Sequence, residues 1–226
     1  MSTYAATAEL GRLALLLRVD VGDVAYLDTL DADQLRALRT TLEQRIAAPN
    51  QSAHERIASA SNLLPARAIA ALAMARMPPR LSAAVVAEMA PQHAADLAAA
   101  MSPDYLRRVC RHLSMSSARG VPPLLPAHVL AAVLHEQMAH RDVLSMAEVV
   151  GALDDDQIRT MVRAFDDMSM LLEVALSISD PRAAQRLLRA LPDEMLRGLV
   201  AAAAIEPAKR TELDGLLRSA GLGDAG

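Results

Sequence analysis

The chain has 226 residues, of which 53% are hydrophobic but only 2% aromatic, and its formal net charge is −4 at pH 7. The apolar residues are mainly Ala, Leu, Val and Met, which favour closely packed helices, whereas strands favour β-branched and aromatic residues. The negative balance argues against a protein that binds nucleic acid. The sequence therefore predicts an all-α fold.

Cysteine usage and hydropathy indicate the compartment. The single cysteine, Cys110, excludes an internal disulfide framework and is typical of a reducing cytosol. The first residues lack the basic segment of a secretory signal. The apolar run 68–75 is among the longest, and its eight residues fall short of the ~20 that a membrane-spanning helix needs. We expect a cytoplasmic chain without a membrane span.

Residues 1–53 are predicted to form an N-terminal helical cap and a linker. A first apolar stretch at 10–17 predicts one helix, and a second helix is expected to begin at Asp31. The polar, proline-containing segment 49–52 is predicted to be the linker.

A proline recurs every twelve residues in the middle of the chain, at Pro79, Pro91 and Pro103. Proline is favoured at the first helical position because the N–H that it lacks needs no partner there. Between the prolines, apolar residues follow the i, i+3, i+4, i+7 spacing of one helix face. Each block is therefore predicted to be a helix of roughly two to two-and-a-half turns. The predicted stripes are Ser82, Val85, Val86 and Met89; Ala94, Leu97, Ala98 and Met101; and Leu106, Val109, Cys110 and Leu113.

The same stripe returns later in the chain with a slightly looser spacing, and there aspartate replaces proline at the turns. Aspartate near a helix start accepts hydrogen bonds from free N–H groups and meets the positive end of the helix dipole. Asp154 with Gln157 resembles a capping box. The turn residues are Asp155, Asp167, Asp180 and Asp193, and the stripes are Met146, Val149, Val150 and Leu153; Ile158, Met161, Val162 and Phe165; Leu171, Val174, Ala175 and Ile178; and Ala184, Leu187, Leu188 and Leu191.

Helices this short are unstable alone, because nucleation is not recovered below ~12–15 residues. Their apolar stripes must be buried against neighbouring repeats, as in α-solenoids. We therefore expect a superhelical stack of short helical repeats, each twelve or thirteen positions long.

The chain also contains a duplication whose offset is much longer than the twelve-residue period. The residues Leu-Leu-Pro-Ala at 63–66 recur at 124–127, so that Leu63 is equivalent to Leu124. Between the two copies, Arg119, Gly120 and residues 121–123 predict a helix break and a hinge. The domains expected after the N-terminal cap are a first repeat module at 54–120, a second at 121–205, and a C-terminal helix and frayed tail at 206–226.

The turns carry a family resemblance. Met77-Pro78-Pro79, Met89-Ala90-Pro91 and Met101-Ser102-Pro103-Asp104, with Ala94-Ala95-Asp96-Leu97 between two of them, resemble the cytosolic N-terminal domain of MgtE-type magnesium transporters. The resemblance covers about residues 63–205 and implies a right-handed superhelix of short helices. The sequence contains no counterpart of that family's nucleotide-binding-like modules and pore. The ion-sensing role is therefore not expected to carry over with the fold.

A run of aspartates is the candidate site for a divalent cation. Carboxylates at equivalent turns of adjacent repeats would converge on one edge of the stack, and Mg²⁺ needs only one or two of them. Helix capping explains the same residues without a metal, and no other cofactor is expected. The candidates are Asp154, Asp155, Asp156, Asp166 and Asp167.

No catalytic residue is predicted, and the chain is not expected to be an enzyme. His135 and His140 are five residues apart, whereas a zinc-protease helix needs histidines at i and i+4. His128 would share a face with His135 but has no third ligand nearby. Cys110 occupies a stripe position without an evident base, which argues against a nucleophile.

A basic cluster is the candidate partner-binding site. Arg107, Arg108, Arg111 and His112 are expected on the side of their helix opposite its apolar stripe, where they would hold an acidic partner or a phosphate. Without interleaved aromatic residues, nucleic acid is not the expected partner.

The leading functional hypothesis is a non-enzymatic scaffold that binds another protein, or a second copy of itself, through a curved surface. Two alternatives stay open. One is a helical protein that binds a small hydrophobic ligand near residues 120–123. The other is a regulatory domain that responds to a divalent cation.

Overall fold

A computed structural model describes residues 3–113, 118 and 120–222. Over these residues the chain forms fourteen α-helices and no strand, which confirms the all-α fold class. The helices are α1 (Tyr4–Leu17), α2 (Ala32–Ala47), α3 (Gln51–Ser61), α4 (Ala66–Arg76), α5 (Pro79–Ala87), α6 (Pro91–Ala99), α7 (Pro103–Cys110), α8 (Ala127–Ala139), α9 (Val143–Ala152), α10 (Asp155–Val162), α11 (Met168–Ser177), α12 (Pro181–Ala190), α13 (Asp193–Ala203) and α14 (Pro207–Ser219). Short 3₁₀ helices lie at Val21–Leu27, Ala48–Asn50 and Pro122–Leu124.

The chain divides into two compact units. One, the terminal unit, consists of Met1–Thr40 and Met146–Gly226, and the other, the central unit, is Thr41–Ser145. Arg119 of the predicted break and residues 223–226 of the predicted tail lie outside the described residues.

In the central unit the predicted helix starts are confirmed. The helices α5, α6 and α7 begin at Pro79, Pro91 and Pro103. Each of the helices α3, α4 and α5 packs against the next helix but one, so that α3 contacts α5, α4 contacts α6, and α5 contacts α7. This alternation buries Val85, Leu97 and other stripe residues, and burial of a side chain as large as valine or leucine stabilises the fold by ~1.5–3 kcal/mol.

In the terminal unit all sixteen predicted stripe residues from Met146 to Leu191 are buried. Packing again joins every second helix: α10 with α12, α11 with α13, and α12 with α14. The first helix, α1, packs against α11 and α14. The apolar spacing in the sequence therefore identified the inward faces of these helices.

The start of the chain follows the prediction in part. The helices α1 and α2 are present, and Asp31 and Gln34 exchange capping hydrogen bonds of 2.9 and 3.0 Å at the start of α2. The predicted linker 49–52 was wrong, because this segment is helical: the 3₁₀ turn Ala48–Asn50 leads directly into α3. Pro49 lies in the first turn, where a helix tolerates proline.

The predicted break before the second Leu-Leu-Pro-Ala copy is confirmed over residues 120–126, where a turn and a 3₁₀ helix precede α8. A Cβ atom at Gly120 would lie 3.2 Å from the Pro91 ring, so glycine permits a close approach there. Among the described helices, none has both the length and the apolar character that crossing a bilayer requires.

Candidate interaction surface

Two of the five candidate metal-binding aspartates cap helices. The Asp154 carboxylate accepts a hydrogen bond from the Gln157 N–H (2.8 Å), and the Gln157 side chain accepts one from the Asp154 N–H (3.3 Å). This is the predicted capping box, which starts α10. The Asp167 carboxylate accepts a hydrogen bond from the Met170 N–H (2.9 Å) and starts α11.

The other three aspartates are exposed, and two of them form ion pairs. Asp155 lies 3.2 Å from Arg186, and Asp156 lies 2.5 Å from Arg159. Asp166 is exposed. Across residues 3–113, 118 and 120–222, no three His, Cys, Asp or Glu side chains are grouped so that they could hold a metal ion. The expected convergence of these carboxylates on one edge is therefore not observed.

The predicted basic cluster is largely occupied by ion pairs. Arg107 is only 7% exposed, and its guanidinium lies 2.6 Å from Asp142 and 3.2 Å from Asp104. Burial lowers the pKa of Arg107, but the two aspartates hold it above its ordinary value. The expected outward position of Arg107 was wrong, because these carboxylates compensate its charge in the interior.

The remaining members of the cluster lie at the surface. Arg108 pairs with Asp104 (3.0 Å) and stacks over the ring of Tyr105, and Arg111 pairs with Asp142 (3.3 Å). His112 is exposed. Two aspartates thus neutralise much of the charge that an acidic partner would meet here.

The residues weighed for catalysis show no arrangement for it. Burial raises the pKa of the Cys110 thiol to about 12, so the thiol is protonated at neutral pH and is a poor nucleophile. His128 and His135 are exposed, and the His140 ring lies 2.9 Å from the Glu136 carbonyl oxygen on its own helix.

The terminal unit contains a buried charged cluster that the sequence did not reveal. Glu9 on α1 is 1% exposed and lies 3.2 Å from Arg12, 2.9 Å from Arg39 and 3.7 Å from Arg36. Burial raises the pKa of Glu9, but the charges of Arg12 and Arg39 and a hydrogen bond from Ser179 hold it below its ordinary value. Glu9 is therefore ionised at neutral pH.

The cluster joins α1 to segments far along the chain. Arg12 lies 2.7 Å from Glu148 and donates a hydrogen bond to the Ser177 carbonyl oxygen (2.6 Å). The Ser179 hydroxyl donates to Glu9 (2.7 Å). These contacts fix α1 within its unit.

Exposed large apolar residues lie on α3, on α4 and in the loop between them, in the central unit. We call this region the α3–α4 face. Leu63 is 84% exposed and Leu72 is 56% exposed, although neither is polar. Large exposed apolar patches mark interaction sites on proteins. The large apolar residues of the face are Ile57, Leu63, Leu64 and Leu72.

The composition of α4 shows why this face is unusual. Nine of its eleven residues are apolar and the other two are Arg67 and Arg76, yet only Ala70 and Ala73 are buried. A helix that is apolar on every side is normally buried on every side. The outer side of α4 therefore has the composition of an interface without a cover.

The inner side of α4 is firmly held. The Tyr105 hydroxyl lies 3.1 Å from the Ala73 carbonyl oxygen and 2.9 Å from that of Met77, and it also bonds to Ser82 (2.7 Å). The Met74 sulfur accepts a hydrogen bond from the Ser102 N–H (3.2 Å). The inner side of α4 is thus fixed within the central unit.

The internal duplication provides a direct reference for α4. Its counterpart in the second copy, α8, also starts after a Leu-Leu-Pro turn and packs against α7. Burial differs between the two copies in both directions. One stripe is exposed on α4 at Ala68, Leu72 and Arg76 and buried on α8 at Val129, Val133 and Gln137. At another position Ala70 is buried on α4, and its counterpart Ala131 is exposed on α8.

The described part of the chain is an all-α protein of short helices in which the outer side of α4 is apolar and exposed. No family model, curated protein or solved structure matches the chain. The resemblance to the MgtE-type transporter domain therefore stays a prediction.

Proposed function

We propose that the chain is a non-enzymatic interaction module that binds another protein through the α3–α4 face. The supporting observation is the exposure of the α4 stripe whose counterpart on α8 belongs to the core. Because Leu72 is 56% exposed, the fold forgoes part of the ~1.5–3 kcal/mol that full burial of a leucine provides. A bound partner would recover that energy.

The structural roles of the other candidate residues support a binding role for the chain. Asp154 and Asp167 cap helices, and Arg107 is held in ion pairs. The protonated thiol of Cys110 suits a packing role in a reducing compartment such as the cytoplasm. Each of these groups thus has a structural use that needs no substrate.

We further propose that each unit is superhelical, as in α-solenoids. Packing of every second helix, with regularly spaced turns between the short helices, supports this architecture because each helix then rests on neighbours on either side. Such stacks leave the outer side of a terminal helix uncovered unless a cap or partner covers it, and α4 lies near the start of the central unit.

Site-specific photo-cross-linking tests the function. A benzophenone amino acid replaces Leu72, and in a matched control it replaces Ile205, which is also strongly exposed but lies in the terminal unit. We expect one protein, identified by mass spectrometry, to be cross-linked from position 72 and not from position 205. The purified partner should then bind the wild type but not Leu72→Glu.

The outcomes are distinct. Equal cross-linking of proteins from both positions would contradict the proposal, because it would show that exposed apolar residues of the chain contact proteins non-specifically. Exclusive cross-linking of a lipid or another small molecule at position 72 would replace it with the hydrophobic-ligand function. Cross-linking to a second copy of the chain would convert the interaction module into a homo-oligomer.

A further inference from the structure

The duplication indicates what kind of element covers the α3–α4 face. In the second copy, the element that packs against α8 is α7, a short amphipathic helix that buries Tyr105, Leu106 and Val109. The helix α7 itself lies at the end of the first module, directly before the second copy. The same offset that relates the two Leu-Leu-Pro-Ala motifs leads back from α7 to segment 42–49, which is the end of α2 and the 3₁₀ turn after it, and none of its residues is buried. The segment before the first copy is therefore not docked in the way that α7 is docked on α8.

The size of the face suits one helix of similar length. The eleven residues of α4 extend over ~16 Å at 1.5 Å per residue. Ala68, Leu72 and Arg76 are four residues apart and so form one ridge along the helix. A facing helix with apolar residues at i, i+3, i+4 and i+7 fits beside such a ridge.

The charge around the face indicates the chemistry of that helix. Residues 51–80 contain four arginines and one acidic residue, Glu55, so they carry +3 in a chain whose net charge is −4. Arg67 and Arg76 lie on either side of Leu72 on α4 and are exposed. Neither forms an ion pair with another residue of the described ranges.

This positive charge is specific to the uncovered copy. The counterparts of Arg67 and Arg76 on α8 are His128 and Gln137. Gln137 is buried, and its side-chain amide donates to the Ser145 hydroxyl (2.9 Å). The covered copy thus has no pair of arginines here, whereas the open copy has two that form no ion pair within residues 3–113, 118 and 120–222.

Resting on the proposed function, we infer that the occupant of the α3–α4 face is an acidic amphipathic helix of a partner protein. Its apolar stripe packs against Ala68 and Leu72, and its carboxylates lie opposite Arg67 and Arg76. A membrane surface fits less well, because interfacial anchoring relies on Trp and other aromatic residues, and the chain contains no Trp and one Phe.

A designed peptide tests this inference on the full chain. The probe is a fluorescein-labelled helix of about 14 residues with Leu at i, i+3, i+4 and i+7 and Glu at the outer positions. A second peptide has Lys at every Glu position. By fluorescence anisotropy we expect the Glu peptide to bind about tenfold more tightly than the Lys peptide at low salt, and this preference should shrink as salt screens the charges.

Charge-reversed variants provide the specificity control. The double variant R67E/R76E should prefer the Lys peptide over the Glu peptide. The matched control is R163E/R197E, which makes the same charge change at two exposed arginines of the terminal unit and should keep the preference for the Glu peptide. Circular dichroism of each variant verifies that the helices are retained.

The inference is overturned if the two peptides bind alike or if R67E/R76E keeps the wild-type preference. It is also overturned if the chain binds phosphatidylglycerol vesicles but neither peptide, or if sedimentation shows that self-association covers the face. When cross-linking from position 72 yields a protein partner but the peptides show no charge preference, the proposed function stands and only the acidic helix fails. When both experiments are negative, both proposals fail.

Discussion

The helices α4 and α8 start from the same Leu-Leu-Pro-Ala motif and reach opposite states of burial. Val133 on α8 is 1% exposed, whereas its counterpart Leu72 on α4 is 56% exposed. Along this stripe Ala68, Leu72 and Arg76 on α4 correspond to Val129, Val133 and Gln137 on α8, so the exposed copy has a smaller side chain and a charge. The two helices also differ in their neighbours within the described part of the chain: α8 packs against α7, whereas the segment equivalent to α7 has no extensive contact with α4.

The largest expected effect comes from placing a charge at the two equivalent positions. Val133→Asp should destabilise the chain by ~4 kcal/mol or more, because it buries an unpaired carboxylate. Leu72→Asp should change stability by less than ~0.5 kcal/mol, because its carboxylate stays in water. Urea unfolding of both variants measures the difference. Similar losses of stability for the two variants would show that the outer side of α4 is covered in solution, and α4 and α8 would then not differ in burial.

The second effect extends the comparison to a helix with a fully covered stripe. Leu187 on α12 is completely buried, and Leu187→Ala should cost ~2–5 kcal/mol. Leu72→Ala is the matched control, for which less than ~0.5 kcal/mol is expected. Thermal and urea unfolding provide both values. A near-neutral Leu187→Ala would mean that the repeat stripe faces outwards.

A third test contrasts buried and exposed charge. Glu9→Gln should cost ~2 kcal/mol near pH 7, because it weakens charge-assisted hydrogen bonds in a buried cluster. Arg76→Gln, at the surface of α4, should cost less than ~0.5 kcal/mol.

The pH dependence of stability separates these two variants further. The folded pKa of Glu9 is lowered from 4.5, so its contribution is complete above that value and is lost as the pH falls through the lowered folded pKa. The wild type should therefore lose stability more steeply than Glu9→Gln below pH 4.5, whereas Arg76→Gln should follow the wild type. If stability fell with pH in the same way for all three proteins, Glu9 would not contribute to the stability of the fold as an ionised group.

The smallest effect concerns helix starts. Asp154→Ala removes the capping box of α10 and should cost ~1 kcal/mol. The start of α4 relies on Pro65, which provides no side-chain capping bond, so Pro65→Ala should cost less. The urea concentrations at which the two variants are half unfolded provide the comparison. A larger loss at Pro65 would show that its fixed backbone contributes more than a side-chain cap does.

Local features of the structure were predictable from sequence because local physics sets them. The starts of α5, α6 and α7 follow from proline geometry, and the start of α10 follows from the Asp154–Gln157 box. The buried stripes follow from helical periodicity. The segment 49–52 was predicted wrongly because polar residues and a proline suit the first turn of a helix as well as a linker.

Long-range features were not predictable in the same way. Arg12 on α1 meets the Ser177 carbonyl oxygen at the end of α11, and no sequence spacing encodes that contact. Arg107 is buried because Asp142 reaches it from beyond α8. The exposure of Leu72 depends on which helices pack beside α4, although the low polarity of α4 on all sides was visible in its sequence.

Hydrogen exchange read by mass spectrometry tests the central claim, that the outer side of α4 is an open docking site. Amide exchange of the full chain is followed with and without a saturating concentration of the Glu peptide. We predict added protection in residues 66–76 and no change in residues 127–139, where the equivalent stripe is already covered. Added protection confined to other helices, or equal protection of both segments, would contradict it.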